Sequence, residues 1–159
     1  MQEKGITMMQ FGEELAAAKE LVVLVVDDNV DAATSLCCLL ELLGCKTAVA
    51  YDGPSAVEAA AAAQPHAAFI DLDLPGFDGC EVLRRLHSGA GTAPRVSVCV
   101  TGHGGPRDRL RCLDAGFDQF WQKPLDPADL LRALEMSREA LARQPEGRAA
   151  AAPALGRAD

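Results

Sequence analysis

The fold prediction starts from a stretch near the middle of the chain, AAFIDLDLPGFDGC at residues 67–80. Its opening apolar run ends in Asp71, which is typical of a buried strand. Pro75 and Gly76 then mark a loop, and a helix is expected at residues 80–87. A strand, a loop and a helix in this order are the repeating unit of parallel α/β sheets.

The same unit repeats on both sides of this stretch. The run LVVLVV at residues 21–26 is the clearest further strand, because continuous β-branched residues are typical of strands covered on both faces. Further strands are expected at residues 45–50, 95–100 and 117–122, with helices between them, and Asn29 is positioned to cap the first helix. Strands alternating with helices predict an α/β fold with a doubly wound five-stranded parallel sheet.

Length and composition predict one globular domain. The chain has 159 residues, and we expect the domain at residues 21–141. Residues 1–20 are expected to form an N-terminal extension with a weak helical face. Residues 142–159, rich in Ala, Pro, Gly and Arg, are expected to form a disordered tail. No output domain is expected in this chain.

Charge and hydropathy argue against two classes of partner. The formal net charge is −8 and there is no Lys/Arg stripe, so binding to nucleic acid is not expected. The apolar run at residues 21–26 is too short to cross a bilayer and follows acidic residues, unlike a signal peptide. We therefore expect a cytoplasmic protein that binds no membrane. The 6 cysteines lack zinc-site spacing and are expected to be small buried residues, with a redox or metal role as the alternative.

Polar side chains follow the predicted strands at one edge of the sheet, since the carboxyl ends of parallel strands meet there. Three carboxylates in one cleft repel each other, a cost that Mg²⁺ can offset. With an ammonium and a hydroxyl nearby, such a cluster has the groups that stabilise phosphoryl transfer to a carboxylate. The residues are Asp27, Asp28, Asp71, Thr101 and Lys123, with Asp71 as the natural acceptor.

The ordered set of motifs resembles the receiver domains of response regulators. The resemblance covers about residues 21–141; each motif alone is weak, but their order and spacing are specific. It implies the flavodoxin-like (βα)5 fold with strand order 2-1-3-4-5. The motifs are Asp27-Asp28, FIDLDLPGFDG at residues 69–79, VTG at residues 100–102 and FWQKP at residues 120–124.

This resemblance implies a Mg²⁺ site and a phosphorylation site. Asp28, Asp71 and the backbone carbonyl of Asp73 would coordinate the ion, and Asp27 would help through water. Asp71 would become the aspartyl phosphate. The chain would then be no enzyme, beyond the phosphorylation and dephosphorylation of its own Asp71.

The resemblance also implies a switch. Lys123 would pair with the phosphoryl group, Thr101 would turn its hydroxyl toward it, and Phe120 would follow by moving inward. A cis peptide bond between Lys123 and Pro124 would aim the ammonium into the site. Added charge at this edge would bias a two-state loop and aromatic ring.

Two positions depart from the commonest pattern of the family. Asp73 lies two residues after the acceptor and His103 lies two residues after Thr101, at positions that tune the lifetime of the phosphoryl group in this family. We expect Asp73 to affect attack by water.

Partners are implied by the same resemblance. The phosphoryl group would come from a sensor histidine kinase or a histidine phosphotransfer protein. A homodimer through the fourth helix, the fifth strand and the fifth helix is one alternative for the switched surface. The loop after Thr101 and the stretch DPADLL at residues 126–131 are similar to receivers attached to hybrid histidine kinases, which favours a phosphorelay.

Other interpretations remain open from the residues alone. Asp27 and Asp28 can simply stabilise a helix N-terminus, and Lys123 can be a solvated surface charge. The pair Asp71 and Asp73 also resembles the nucleophile and acid of haloacid-dehalogenase phosphohydrolases, although Pro75 does not fit that pattern. A third alternative is a degenerate receiver that binds partners without phosphorylation.

Overall fold

The fold described here comes from a computed structural model and comprises residues 20–89 and 92–143. The predicted extension at residues 1–20 and the predicted tail at residues 142–159 lie outside the described residues, except for residue 20 and for residues 142 and 143, which end the final helix. Within the described part, strands and helices alternate as β1 Val22–Val26, α1 Val30–Leu42, β2 Lys46–Ala50, α2 Gly53–Ala63, β3 Ala67–Asp71, α3 Gly79–Ser88, β4 Val96–Thr101, α4 Pro106–Ala115, β5 Gln119–Gln122 and α5 Pro127–Arg143.

The five strands form one parallel sheet in the order β2-β1-β3-β4-β5. This confirms the predicted flavodoxin-like order, in which the chain reverses direction across the sheet between β1 and β3. Val26 pairs with Ile70, and Asp71 pairs with Val100. The residues that follow β1, β3 and β4 are therefore neighbours at one edge.

The two faces of the sheet bury separate apolar clusters. Even-numbered residues of β1 and β3, such as Leu24 and Ile70, pack under α2, α3 and α4. Odd-numbered residues, such as Val25 and Phe69, pack under α1 and α5. Strands buried on both faces have no polar alternation, which explains the continuous apolar runs in the sequence.

Local signals set the element ends. The side chain of Asn29 accepts a hydrogen bond from the Ala32 amide at 3.0 Å, as predicted for the cap of α1. Gly44, after the end of α1, has a φ of 90°, which glycine adopts without strain. No helix of residues 20–89 and 92–143 has both the length and the apolar character needed to cross a membrane.

Two predictions about local structure need correction. The fifth strand begins at Gln119 rather than at residue 117, because the Asp118 carboxylate accepts the Ser97 amide at 2.8 Å where a strand would offer a carbonyl. Among the cysteines, Cys38 is exposed, and Cys37 is only half-buried although it packs against the apolar cluster under α1. The remaining four are buried, as expected.

Candidate phosphoacceptor site

The acidic residues after β1 differ in their surroundings. Asp27 is 7% exposed, and its Oδ1 accepts the Asn29 amide at 2.9 Å. Asp28, the next residue in the same turn, is exposed. The short turn between β1 and α1 thus places one buried and one accessible carboxylate at the sheet edge.

Asp71 ends the central strand β3 and is also 7% exposed. Its Oδ1 accepts the backbone amide of Asp73 at 3.3 Å, which orients the carboxylate. Its Oδ2 lies 3.3 Å from the Lys123 Nζ, which is 2.7 Å from Oδ2 of Asp27. One ammonium therefore bridges two carboxylates that come from different strands.

The electrostatics of this cluster follow from burial. Burial raises the pKa of Asp71 from 3.8 to about 6; the Lys123 ammonium acts in the opposite direction, and the Asp27 carboxylate adds to the increase. For Lys123, burial alone would lower the pKa, but the hydrogen bond to Asp27 and the charges of Asp71 and Asp27 outweigh it and raise the pKa. The ammonium is therefore held in its charged form.

The three carboxylates fit a hard divalent cation. Asp27, Asp28 and Asp71 each offer an oxygen, and these atoms all lie within 4.8 Å of one another. A single ammonium leaves this group with excess negative charge, and oxygen donors are the ligands that Mg²⁺ takes. The three carboxylates predicted from the sequence are thus brought together. The backbone carbonyl of Asp73, the fourth predicted donor, is not among these atoms.

Thr101 is fully buried at the end of β4, but its hydroxyl is engaged within its own loop. It donates to the His103 carbonyl at 2.8 Å and accepts the His103 amide at 3.2 Å. The predicted site residues therefore fall into two groups. Lys123 contacts the acidic cluster directly, whereas the hydroxyl of Thr101 would have to exchange partners to reach it.

Phe120 lies half-buried on β5, beside the same loop. The Arg109 guanidinium of α4 lies 4.9 Å from the centre of its ring. A Cβ on Gly104 would come within 2.7 Å of the ring, so only glycine lets the loop pass so close. The ring therefore contacts both the Thr101 loop and α4.

The two predicted tuning residues are exposed. The side chains of Asp73 and His103 lie at the rim, and their backbone groups, rather than their side chains, contact Asp71 and Thr101. The peptide bond between Lys123 and Pro124 is cis, which agrees with the form implied by the resemblance.

Sequence reasoning missed two features of the site. The direct ion pair between Lys123 and Asp27 joins residues 96 positions apart, which no local pattern reveals. Gly79 is the second, since a Cβ there would lie 2.3 Å from the Asp71 carbonyl oxygen. The Gly79 amide instead donates to the Leu72 carbonyl at 2.9 Å, so that α3 starts directly against the acceptor strand. The Asp78-Gly79 pair in the sequence was the available signal.

A family model for the response regulator receiver domain matches residues 23–135. The chain belongs to this family. Its receiver domain is 36% identical over 110 residues to the transcriptional regulatory protein PrrA of Mycobacterium tuberculosis, covering 69% of this chain and 46% of that protein. It is 32% identical over 114 residues to the hybrid signal transduction histidine kinase L of Dictyostelium discoideum, covering 68% of this chain and 7% of that kinase. The chain thus spans less than half the length of these relatives.

Solved structures agree on the fold of this receiver. A CheY-like receiver domain protein from Methanospirillum hungatei superposes with a TM-score of 0.71 at 24% identity, covering 79% of this chain and 99% of that one. The BeF3-activated N-terminal receiver domain of RstA from Klebsiella pneumoniae gives a TM-score of 0.66 at 25% identity, covering 74% and 97%. Receiver domains are the signalling modules of two-component systems.

Proposed function

We propose that this receiver accepts a phosphoryl group on Asp71 within a two-component or phosphorelay system. The observation that carries the proposal is the Lys123 ammonium, 3.3 Å from the Asp71 carboxylate inside a cluster of three acidic residues. In the transfer, an Asp71 oxygen forms a bond to phosphorus while the bond from phosphorus to a donor's histidine nitrogen breaks. Lys123 stays beside the group and offsets its added negative charge.

A divalent cation fits the proposed reaction. Asp28 and Asp71 would hold Mg²⁺ with the Asp73 carbonyl, and Asp27 would act through water. When bound, this ion supplies positive charge that reduces repulsion between the carboxylates and the incoming phosphoryl oxygens. The buried position of Asp27 and Asp71 supports the assignment, because the single Lys123 ammonium does not neutralise both carboxylates and uncompensated buried charge is costly.

We propose that phosphorylation changes the positions of the Thr101 hydroxyl and the Phe120 ring. A phosphoryl oxygen is a stronger acceptor than the His103 carbonyl that the Thr101 hydroxyl now contacts. Exchange of that hydrogen bond would move the loop that lies against the Phe120 ring. The proposed switched surface is formed by α4, β5 and α5, and a homodimer through it should appear in sedimentation only after phosphorylation.

The proposed donor is a sensor histidine kinase or a histidine phosphotransfer protein. The match to a hybrid histidine kinase supports the phosphorelay form of the proposal. The match to PrrA supports the simpler two-component form. Transfer from a phosphorylated donor of each class, measured by gel autoradiography, separates the two.

Acetyl phosphate with Mg²⁺ tests the proposed function without a known donor. The intact protein should gain the mass of one phosphoryl group, and Asp71→Ala should gain none. Continued turnover of a phosphomonoester would instead favour the phosphohydrolase alternative. No mass gain in the folded wild-type protein would favour a degenerate receiver.

Asp73 is proposed to tune the lifetime of the phosphoryl group. Its exposed side chain stands two residues after the acceptor, where it can orient or repel an attacking water. We expect Asp73→Asn to change the half-life of the phosphorylated protein by roughly twofold or more. A half-life equal to that of the wild type removes this role.

A further inference from the structure

Two buried thiols face each other beneath α4, outside the acidic site. The Cys99 Sγ on β4 lies 2.9 Å from the Cys112 Sγ on α4, and both side chains are 0% exposed. A disulfide requires a separation of about 2.05 Å, so the two sulfur atoms need to approach by less than an ångström. The geometry points to an oxidation site: we propose that Cys99 and Cys112 form a reversible disulfide in response to a peroxide.

Access to the pair is controlled by α4. Of the 10 residues of this helix, only Cys112 and Ala115 are buried. Cys112 also hydrogen-bonds the buried Cys80 of α3. At the surface, Arg111 forms an ion pair with Asp78, and Arg109 contacts Phe120. Exposed ion pairs contribute little stability, so this helix should open locally more readily than the sheet.

The loop before α4 can act as the hinge for this opening. A Cβ built on Gly102 or Gly105 would meet nothing within 4 Å, so the loop is not packed at either position. Cys112 moves with the helix, whereas Cys99 stays in the sheet, where it pairs with Phe120 and Ile70. The first reaction is therefore assigned to Cys112, which becomes accessible when α4 lifts.

The closed pair resists oxidation. Burial raises the pKa of Cys99, and the hydrogen bond and charge of Cys112 raise it further, so this thiol stays protonated. Protonated thiols are poor nucleophiles. Because both residues are 0% exposed, peroxide reaches Cys112 only when the helix opens, and closure afterwards brings the two sulfur atoms together.

The chemistry balances with one peroxide. The Cys112 sulfur attacks hydrogen peroxide, the O–O bond breaks, and a sulfenic acid and one water are formed. As α4 returns, but before it excludes solvent, Cys99 gives its proton to water and its thiolate attacks the Cys112 sulfur. The S–O bond breaks, and the departing hydroxide takes up a proton and leaves as a second water. Each sulfur gives up one electron, and the peroxide takes up both. A dithiol reductant reverses the change.

The disulfide would fix α4 against β4. Cys99 lies two residues before Thr101 on the same face of β4, so the bond would restrain the helix next to the loop proposed to switch. This restraint is a second input at the α4 surface. Disulfide formation involves neither Asp71 nor Mg²⁺, so it can be tested independently of the proposed phosphorylation.

The test uses the full chain, treated with hydrogen peroxide under native conditions without acetyl phosphate. Remaining thiols are alkylated, and peptides are mapped by mass spectrometry without reduction. The expected product is a linked pair of peptides containing Cys99 and Cys112, lighter by two hydrogen atoms and restored by a dithiol reductant. Amide exchange in α4 should become at least about tenfold slower in the oxidised protein.

Variants supply the controls. Cys99→Ala and Cys112→Ala should abolish the linked peptides, whereas Cys80→Ala, which removes a nearby buried thiol, and Cys38→Ala, which removes the exposed one, should preserve them. Peptide mapping of the wild type decides the matter even if a variant fails to fold. Oxidation confined to Cys37 or Cys38, or a linkage between other cysteines, would overturn the proposal.

Discussion

The Lys123 ammonium contacts two buried carboxylates at once, 2.7 Å from Asp27 and 3.3 Å from Asp71. Without this charge, the two strands would end in mutually repelling acids with little water around them. The same charge competes with any cation for the carboxylate oxygens. At the scale of single residues, the Lys123 ammonium and a bound metal ion therefore compete to neutralise the same two carboxylates.

Removing the ammonium should make the site bind Mg²⁺ more tightly. In Lys123→Met the Asp27 and Asp71 carboxylates lose their internal partner, and repulsion between them favours a cation. We expect Mg²⁺ affinity, measured by isothermal titration calorimetry, to rise about fivefold or more. Lys46→Met, at an exposed position of β2, serves as the control and should leave the affinity unchanged. Weaker binding by Lys123→Met would show that the lysine does not oppose the metal.

The raised pKa of Asp71 predicts a pH-dependent cost in the metal-free protein. A folded-state pKa of about 6, above the unfolded value of 3.8, means that the folded state holds the proton more tightly. The resulting stability is fully present below pH 3.8 and is lost as the pH rises through about 6. Asp71→Asn has no such loss and should be more stable at pH 7 by up to about 3 kcal/mol.

Urea denaturation from pH 4 to pH 8 in a chelator measures this difference. The stability advantage of Asp71→Asn should grow between about pH 4 and pH 6 and then level off. Asp114→Asn, on the exposed surface of α4, should show no comparable trend. An advantage that does not change with pH would mean that Asp71 is not desolvated.

At the scale of elements, the start of α3 against β3 depends on one close approach. A Cβ on Gly79 would lie 2.3 Å from the Asp71 carbonyl oxygen, so the helix can begin there only with glycine. Gly79→Ala should lower the free energy of unfolding by about 1–3 kcal/mol, because the backbone of α3 has to shift. Gly102→Ala is the matched control, since its Cβ would meet nothing within 4 Å. Equal urea midpoints for the two variants would contradict this account of α3.

The elements were largely predictable because their signals are local. The apolar run at residues 21–26 and the Asn29 cap mark β1 and α1 directly, and the structure agrees. The start of β5 was predicted wrongly, because the Ser97 amide there donates to the Asp118 carboxylate in place of a backbone carbonyl. Propensity within one segment carries no information about such a contact.

For the site, we could predict which residues belong to it but not which atoms they contact. The positions of Asp27, Asp71 and Lys123 at predicted strand ends indicated that they would lie close together, since the carboxyl ends of parallel strands meet at one edge of the sheet. They did not reveal that Lys123 pairs with Asp27, or that the Thr101 hydroxyl turns to the His103 carbonyl. Both depend on long-range packing and on loop conformation, which residue spacing does not specify.

Across the whole sheet, the strand order β2-β1-β3-β4-β5 determines which elements lie next to Asp71. It places β3 at the centre, with the acidic turn of β1 on one side and the Thr101 loop of β4 on the other. We therefore propose that charge added at Asp71 acts on α4 and β5 through the neighbouring Thr101 loop. The thiol pair lies under that same helix, so two chemically distinct inputs would converge on one surface.

Chemical mapping of the phosphoryl group tests the central claim most directly. The full chain is incubated with acetyl phosphate and Mg²⁺, the acyl phosphate is reduced with borohydride, and peptides are sequenced by mass spectrometry. We expect Asp71 alone to be converted to homoserine, and Asp71→Asn to yield no converted residue. Conversion at Asp27, Asp28 or Asp73 in place of Asp71, or no conversion in the folded wild-type protein, would contradict it.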